Sequence, residues 1–317
     1  PSVLTDGRTP LNITPPWPGA KSTGRRLALA RWLTEPNHPL TARVLVNRVW
    51  KHHFGTGLVT TPGNFGKTGS PPSHPDLLDW LARDFVRQGW SLKTLHRLLM
   101  TSSAYRQSSQ VTSVMTAADP DNRLLSRMPL RRLEAEIVRD ALLSVAGQLN
   151  DTPFGPADDV DVRGDGLVTA KGASVGGRRS VFVLHRRTKL PTILESFDSP
   201  QMGPNCLERG ESIVAPQALH LLNNATVHTW AKLLAERIID EAGPEPAVQL
   251  SRLHRVAMGV PLEGKALSEA VADWEALRQQ WRQTLADQPD ADNEAKRRTL
   301  QNYCHAIMNS AAFLYVD

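Results

Sequence analysis

The stretch PGNFGKTGSPPSHPDLLDWLA, Pro62 to Ala82, decides which class of fold the chain can have. Its centre, Gly66-Lys67-Thr68, is how a phosphate-binding P-loop ends, and a P-loop would mean an α/β nucleotide-binding fold. The pattern G-x-x-x-x-G-K-[ST] requires a glycine at position 61, where the chain has Thr61. A P-loop also follows a buried strand and runs straight into a helix. Here a helical pattern precedes it, and Gly69-Ser70-Pro71-Pro72 follows. Proline lacks the backbone N–H that cradles phosphate. Nucleotide binding through this loop is therefore rejected, and the glycines are read as permitting tight turns.

Outward from this loop the spacing is helical. Leu29 and Leu33 stand four apart, and Pro36 ends that segment. A second helix is expected from Pro39 to Phe54, stopped by Gly55. On it Leu45, Val46, Val49, Trp50, His53 and Phe54 share one side, with Asn47 on the other. Ser73 is expected to cap the next helix with Asp76 as its partner, and Leu77, Leu81 and Phe85 form its stripe. Further helices place Leu92, Leu95 and Leu99 inward, then Leu133, Ile137, Ala141 and Val145. Trp32, Trp50, Trp80 and Trp90 are read as core anchors. After Pro216 the expected helices are 216–241, 245–258, 264–286 and 292–310.

Between these helical regions, residues 150–180 are rich in Gly and Asp, and 191–215 look irregular. SVFVLHR, Ser180 to Arg186, is the best strand candidate. The expected fold is mainly α: a multi-helix globular domain with a long Gly/Asp-rich insertion and at most a small β-hairpin. Residues 1–21 read as an irregular arm. Residues 22–317 read as one domain, with a helical lobe at 22–149, an insertion at 150–215 and a second helical lobe at 216–317.

The 317 residues are 40% hydrophobic and 22% charged, as in a soluble globular protein. No apolar run reaches the roughly 18 residues of a membrane helix. The chain begins at Pro1, which points to a fragment or a processed product. Its two cysteines, Cys206 and Cys304, form no CxxC pair. They provide no site for covalent haem attachment, and one disulfide, two free thiols and one free reactive thiol all remain open. Residues 1–150 hold 19 Lys and Arg against 10 Asp and Glu, whereas residues 151–317 hold 18 against 22. A basic half can favour polyanions. However, the arginines form no dense run and do not interleave with aromatics, so nucleic acid is not the expected partner.

Several groups carry candidate chemistry. His53 near the centre of an apolar helix face is a base or ligand candidate, set against the reading of a satisfied core histidine. His74 and Asp79 flank a helix start, about 140° apart around it, and so do not chelate one ion from one face. If the glycine-rich loop folds back, His53, His74 and Asp79 converge on a zinc or hydrolytic site. In DDVDVRGDG, Asp158, Asp159, Asp161 and Asp165 offer the hard oxygens that suit calcium. Arg163 and Ala170 break the EF-hand pattern, so only a weaker acidic-loop site remains. Glu195 and Asp198 are a carboxylate pair fit for glycosidic chemistry if the fold holds them ~5–10 Å apart. Cys206 has Arg209 nearby, which would activate its thiol, although no base is assigned to it.

RRLALARWLTEPNHPLTARVLVNRVWKHHFGTGLVTTPGNFGKTGSPPSHPDLLDWLARDF resembles a planctomycete-specific C-terminal domain of unknown function, domain of unknown function 1553. GWSLKTLHRLLMTSSAYRQSS, DPDNRLLSRMPLRRLEAEIVRDALL, RRSVFVLHRR, FDSP, CLERGESIVAPQALHLLNN and NSAAFLYVD continue the resemblance in the family's order. Two positions depart from it. Ala312 stands where the family often has Glu, and Asn64 where it often has Asp. The resemblance implies a periplasmic or other extracytoplasmic setting at the end of a large exported protein. Haem would sit on a separate upstream cytochrome c-like domain of the same polypeptide. The function expected from this is an accessory or binding domain in a haem-linked redox or glycan-processing system. Its partners would be the upstream domains and a polysaccharide. The competing expectation is a metal-assisted or carboxylate-based hydrolase acting on a glycan, with zinc as the metal where His53, His74 and Asp79 converge; calcium is expected only on the acidic loop, in a structural role.

Overall fold

Helix formation begins at Arg25, where Ala28 and Trp32 rather than Leu29 and Leu33 supply the buried face of α1 (Arg25–Leu33). The four-residue spacing is real, but it marks the solvent side. Residues 13–171, 177–200, 203, 206 and 208–316 are described by the structure, a computed structural model. Residues 1–12 of the expected arm lie outside them, and 13–22 contain no helix or strand. The described chain forms two compact units that meet in sequence at Leu130 and Arg131. Helices dominate both, and the few strands are short, so the fold is mainly α.

The N-terminal unit continues with α2 (Thr41–Phe54), α3 (Pro75–Arg87), α4 (Leu92–Met100) and the short α5 (Ser113–Ala118). Helix α2 packs on α3 and α4 around Val46, Val49, Trp50, Phe54, Leu78, Leu81, Phe85, Leu95 and Leu99. Leu92 and Trp80 are exposed, which corrects their assignment to the core. In both cases the helix turns that position away from the packed stripe. Helix α3 begins at Pro75, whose missing N–H costs nothing there. The expected cap is also corrected, since no side chain caps α3. The Ser73 hydroxyl lies 3.0 Å from His74 Nδ1 instead.

The C-terminal unit opens with β1 (Arg131–Arg132), paired antiparallel to β6 (Tyr315–Val316) at the far end of the chain. Next comes α6 (Ala135–Val145), which packs on later elements of this unit and buries Val138, Leu142 and Leu143. Ile137, expected inward, is exposed. Strand β2 (Leu149–Asn150) pairs in parallel with β5 (Gly177–Arg178). Between them, β3 (Val160–Val162) and β4 (Val168–Ala170) form a small antiparallel hairpin.

The expected strand at Ser180 is instead a 3-10 turn, Ser180–Phe182. Ser180 is pinned to α6, its N–H and hydroxyl both donating to Asp140 Oδ1 at 2.7 Å. Val181 is exposed, and Val183 makes only an isolated bridge to Asp158. A short helix α7 (Thr192–Ser196) interrupts the segment expected to be irregular.

The remaining helices are α8 (Ala215–Asn223), α9 (Ala225–Ala242), α10 (Pro246–Met258), α11 (Gly264–Thr284), α12 (Ala291–Met308) and α13 (Ala311–Leu314). The helix expected at 216–241 is therefore two. Asn224 breaks it and caps α9, its Oδ1 accepting Thr226 N–H at 2.8 Å. Helix α12 packs on α9 and α11. Among the described residues no helix is long and apolar enough to cross a membrane.

Candidate functional site

The glycine-rich loop after α2 is built from inside the helix. Asn47 on α2 is fully buried, and its side-chain amide clamps the backbone of Val59. Gly57 lies against this clamp. A Cβ there would stand 2.6 Å from Val59 O and 2.8 Å from Asn47 Nδ2, so no side chain fits. Farther along, Thr61 Oγ1 donates to Asn64 O at 2.8 Å and accepts Ser70 N–H at 3.0 Å. Asn64 Oδ1 accepts Gly66 N–H at 3.0 Å, an Asx turn. The N–H groups of Gly66, Gly69 and Ser70 are thus spent within the loop, the local reason it makes no phosphate cradle. Ser73 N–H donates to Leu58 O at 2.8 Å and folds the loop's end back on its start.

A second rigid segment, 119–129, faces it. Asp119 is buried and accepts the N–H groups of Arg123 and Leu124 at 2.8 and 2.9 Å. Asn122 takes a positive φ of 51° and donates to Arg127 O at 2.9 Å. Arg127 bonds the carbonyls of Asp119 and Pro120, both at 3.1 Å.

Between loop and turn lies a cleft of ≈ 510 Å³. Trp50 and Phe54, core rings stacked with centroids 4.1 Å apart and almost wholly buried, line it on its aromatic side. Thr56, Thr60, Ser70 and Ser73 contribute hydroxyls, and His74, Asp121, Asn122 and Arg123 contribute an imidazole, a carboxylate, an amide and a guanidinium. The loop and the turn that line it are each held by their own hydrogen bonds, so the cleft is preformed.

Of the three residues expected to converge, only His74 lines this cleft. His53 Nε2 lies 2.7 Å from His96 Nδ1, with the Tyr105 ring edge-on at 5.4 Å. Asp79 accepts Arg43 Nε at 2.6 Å, with Arg83 at 3.9 Å. The Arg43 hydrogen bond holds the Asp79 carboxyl below its ordinary range. Among the described residues, no group of three or more His, Cys, Asp and Glu side chains is placed to hold a metal ion.

In the C-terminal unit, Glu195 is exposed on α7. Asp198 takes a positive φ of 65° and spends its carboxylate on structure. It accepts Arg132 Nη2 at 2.8 Å, Ser212 N–H at 2.8 Å and the Ser212 hydroxyl at 2.8 Å. Burial pushes the Asp198 pKa up, but Ser212 and Arg132 together outweigh it and leave the group low. Arg132 also bonds Ser212 O at 2.7 Å and Phe197 O at 3.2 Å, so one guanidinium ties both ends of the 197–212 segment.

Cys206 is exposed and donates to Glu208 O at 3.2 Å. Arg209 is committed to Glu136 at 2.6 and 3.1 Å and to Glu134 at 3.2 Å. That hydrogen bond to Glu136 raises the Arg209 pKa.

The four aspartates of the acidic stretch each face a cation. Asp158 meets Arg178 at 2.6 Å, and Asp165 meets Arg163 at 2.6 Å. Lys171 lies 3.0 Å from Asp159 and 3.9 Å from Asp161. A calcium ion on this loop would have to displace these cations.

Sequence reasoning missed Asn47, His96, Asp121, Arg123 and Arg132. Asp119-Pro120-Asp121-Asn122 has the residue types of a turn, but nothing in it says that it faces the loop 45 residues and more upstream. Residues 25–301 match the family model described as PSD1, protein of unknown function, DUF1553. No curated protein and no solved structure matches the chain.

Proposed function

The chain belongs to the PSD1 family of unknown function, DUF1553, and on that footing we propose that it is a binding domain of a larger exported protein, with a polysaccharide segment as its ligand. The observation that carries this reading is the preformed cleft of ≈ 510 Å³ in the N-terminal unit. Its aromatic side meets hydroxyls, an amide, a carboxylate and a guanidinium. That mixture suits a polyhydroxylated ligand, because each sugar hydroxyl both donates and accepts while the ring offers apolar C–H faces. Of the described residues lining the cleft, Asp121 is the one carboxylate. Glycosidic hydrolysis ordinarily uses two, which favours binding over cleavage. In the setting that the family resemblance implies, the domain is extracytoplasmic. It holds the polymer for a haem-carrying cytochrome c-like domain of the same polypeptide.

A hydrolase acting on a glycan is the second reading. One observation favours it: His74 and Asp121, a titratable imidazole and a carboxylate, share the cleft.

Affinity electrophoresis against a panel of neutral and acidic polysaccharides tests the first reading. At least one polymer should retard the wild-type chain, with retardation lost in Asp121→Asn and in His74→Ala. Migration unaffected by every polymer, or equal retardation of the variants, would overturn it. Release of reducing ends, abolished by the same variants, would establish the second reading instead.

A further inference from the structure

Arg139 on α6 is only 2% exposed. Its Nη1 donates to Arg178 O at 3.0 Å and to the Ser180 hydroxyl at 3.2 Å. Its Nη2 is buried with no hydrogen-bond partner among the described residues. Asp140 Oδ1 stands 3.7 Å from Nη1, and that oxygen already accepts both donors of Ser180. A guanidinium cannot shed its charge, and a bare buried N–H is costly unless something accepts it. The backbone of Gly177 passes close to this nitrogen, since a Cβ there would stand 3.0 Å from Nη2.

Arg139 is also part of the wall of a small cavity of ≈ 20 Å³. Asn224, Thr226 and Val227 in the same wall belong to the first turn of α9 or its cap. That helix is 18 residues long, so the positive end of its dipole lies at this cavity. Thr169, His220 and Trp230 add the other polar groups, and the rest of the described wall, Val168, Ala170, Pro191 and Ile193, is apolar. No described carboxylate lines it. The wall therefore pairs a fixed cation with a helix N-terminus and supplies no negative charge of its own. The volume is of the order that holds one water, too small for a tetrahedral oxyanion.

We propose that this cavity binds a single monovalent anion of chloride's size, held between Arg139 and the N-terminus of α9. The site is independent of the cleft in the N-terminal unit. Crystals of the full 317-residue chain grown in sodium bromide test it directly. An anomalous peak in the cavity beside Arg139 is expected, and water density with no anomalous signal would overturn the proposal. In solution, the melting temperature should climb with sodium chloride relative to sodium gluconate at equal ionic strength. Above saturation the rise is on the order of 3 °C per tenfold in chloride. Equal melting temperatures in the two salts would overturn it, as would a chloride dependence that survives in Arg139→Met. Should that variant fail to fold, the bromide peak in the wild-type crystal decides alone.

Discussion

Asn47 and Val59 pair as two strand residues would, although one of them is a helix side chain. Val59 N–H donates to Asn47 Oδ1 at 2.8 Å, and Asn47 Nδ2 donates back to Val59 O at 3.0 Å. This pair sets where the loop leaves α2, and with it one wall of the cleft. Asn47→Leu keeps the volume but leaves the buried N–H and C=O of Val59 unpaired. The expected cost is about 3 kcal/mol, read from the urea midpoint, with cleft binding weakened as well. A variant as stable as the wild type would show that the loop holds its course without the clamp.

Arg132 carries a comparable burden in the C-terminal unit. Its fork reaches Ser212 O, Phe197 O and Asp198 at once, a geometry that lysine cannot reproduce. Arg132→Lys and Arg132→Met should each lower stability, the latter by about 3 kcal/mol, because Asp198 loses its buried cationic partner. Wild-type stability in Arg132→Lys would show that a point charge suffices.

Asp198 and Glu136 also give the acid limb of stability a sign. Burial raises each pKa, but Ser212 and Arg132 at Asp198, and Arg209 at Glu136, outweigh it and leave both below their ordinary values. The stability they contribute is therefore fully present above the unfolded carboxylate range, about pH 4. It is lost as the pH falls through the lower folded values. Denaturation midpoints measured from pH 6 to pH 2 should fall through this window, and less steeply in Asp198→Asn. Parallel acid limbs in the two proteins would mean that Asp198 does not carry the dependence.

The helices were legible because packing follows a 3.6-residue period that the sequence displays, and Gly55 ends α2 where the pattern stops. Errors arose where the period leaves two faces nearly equal. Leu29 and Leu33 mark a stripe as clearly as Ala28 and Trp32, and only the neighbours present in the fold decide between them. At 100° per residue Asn47 falls just past Phe54, on the far side of the stripe, yet it is as fully buried as Val46 beside it in sequence. An amide is buried when it meets a backbone that cannot pair otherwise, and that depends on the path of a distant loop. The cleft shows the same limit. His74 stands out in the sequence by its own chemistry, whereas Asp121 and Arg123 matter only through a long-range approach that no local spacing encodes.

The two cysteines should differ sharply in reactivity. Both are free thiols, Cys206 exposed and Cys304 buried. Burial pushes the Cys304 thiol far up, so it is protonated across the usable pH range. Titration with a thiol reagent at pH 8 should count one fast thiol in the native protein and two in denaturant. Two fast native thiols would place Cys304 at the surface, and none in denaturant without reductant would mean that the cysteines are joined.

The last prediction concerns His305 on α12. Its Nε2 lies 3.0 Å from Leu221 O, and since a carbonyl only accepts, that nitrogen carries the proton. The ring faces His228 at 4.2 Å between centroids. Burial lowers the His305 pKa and the Leu221 carbonyl offsets part of this, while His228 lowers it further. Burial lowers His220 in the same direction. For a base, a folded pKa below the unfolded one means that the neutral ring is what the fold accommodates. Its stability is complete above the unfolded value, about 6.5, and drains away as the pH falls through the lower folded value. Denaturation midpoints should therefore already decline between pH 7 and pH 5, before the carboxylates titrate. His305→Gln keeps a donor for Leu221 and cannot ionise, so its decline over this window should be shallower. A variant whose midpoints run parallel to the wild type from pH 7 to pH 5 would remove His305 from the account and leave His220, His38 and His254, which burial lowers as well, as the groups to replace next.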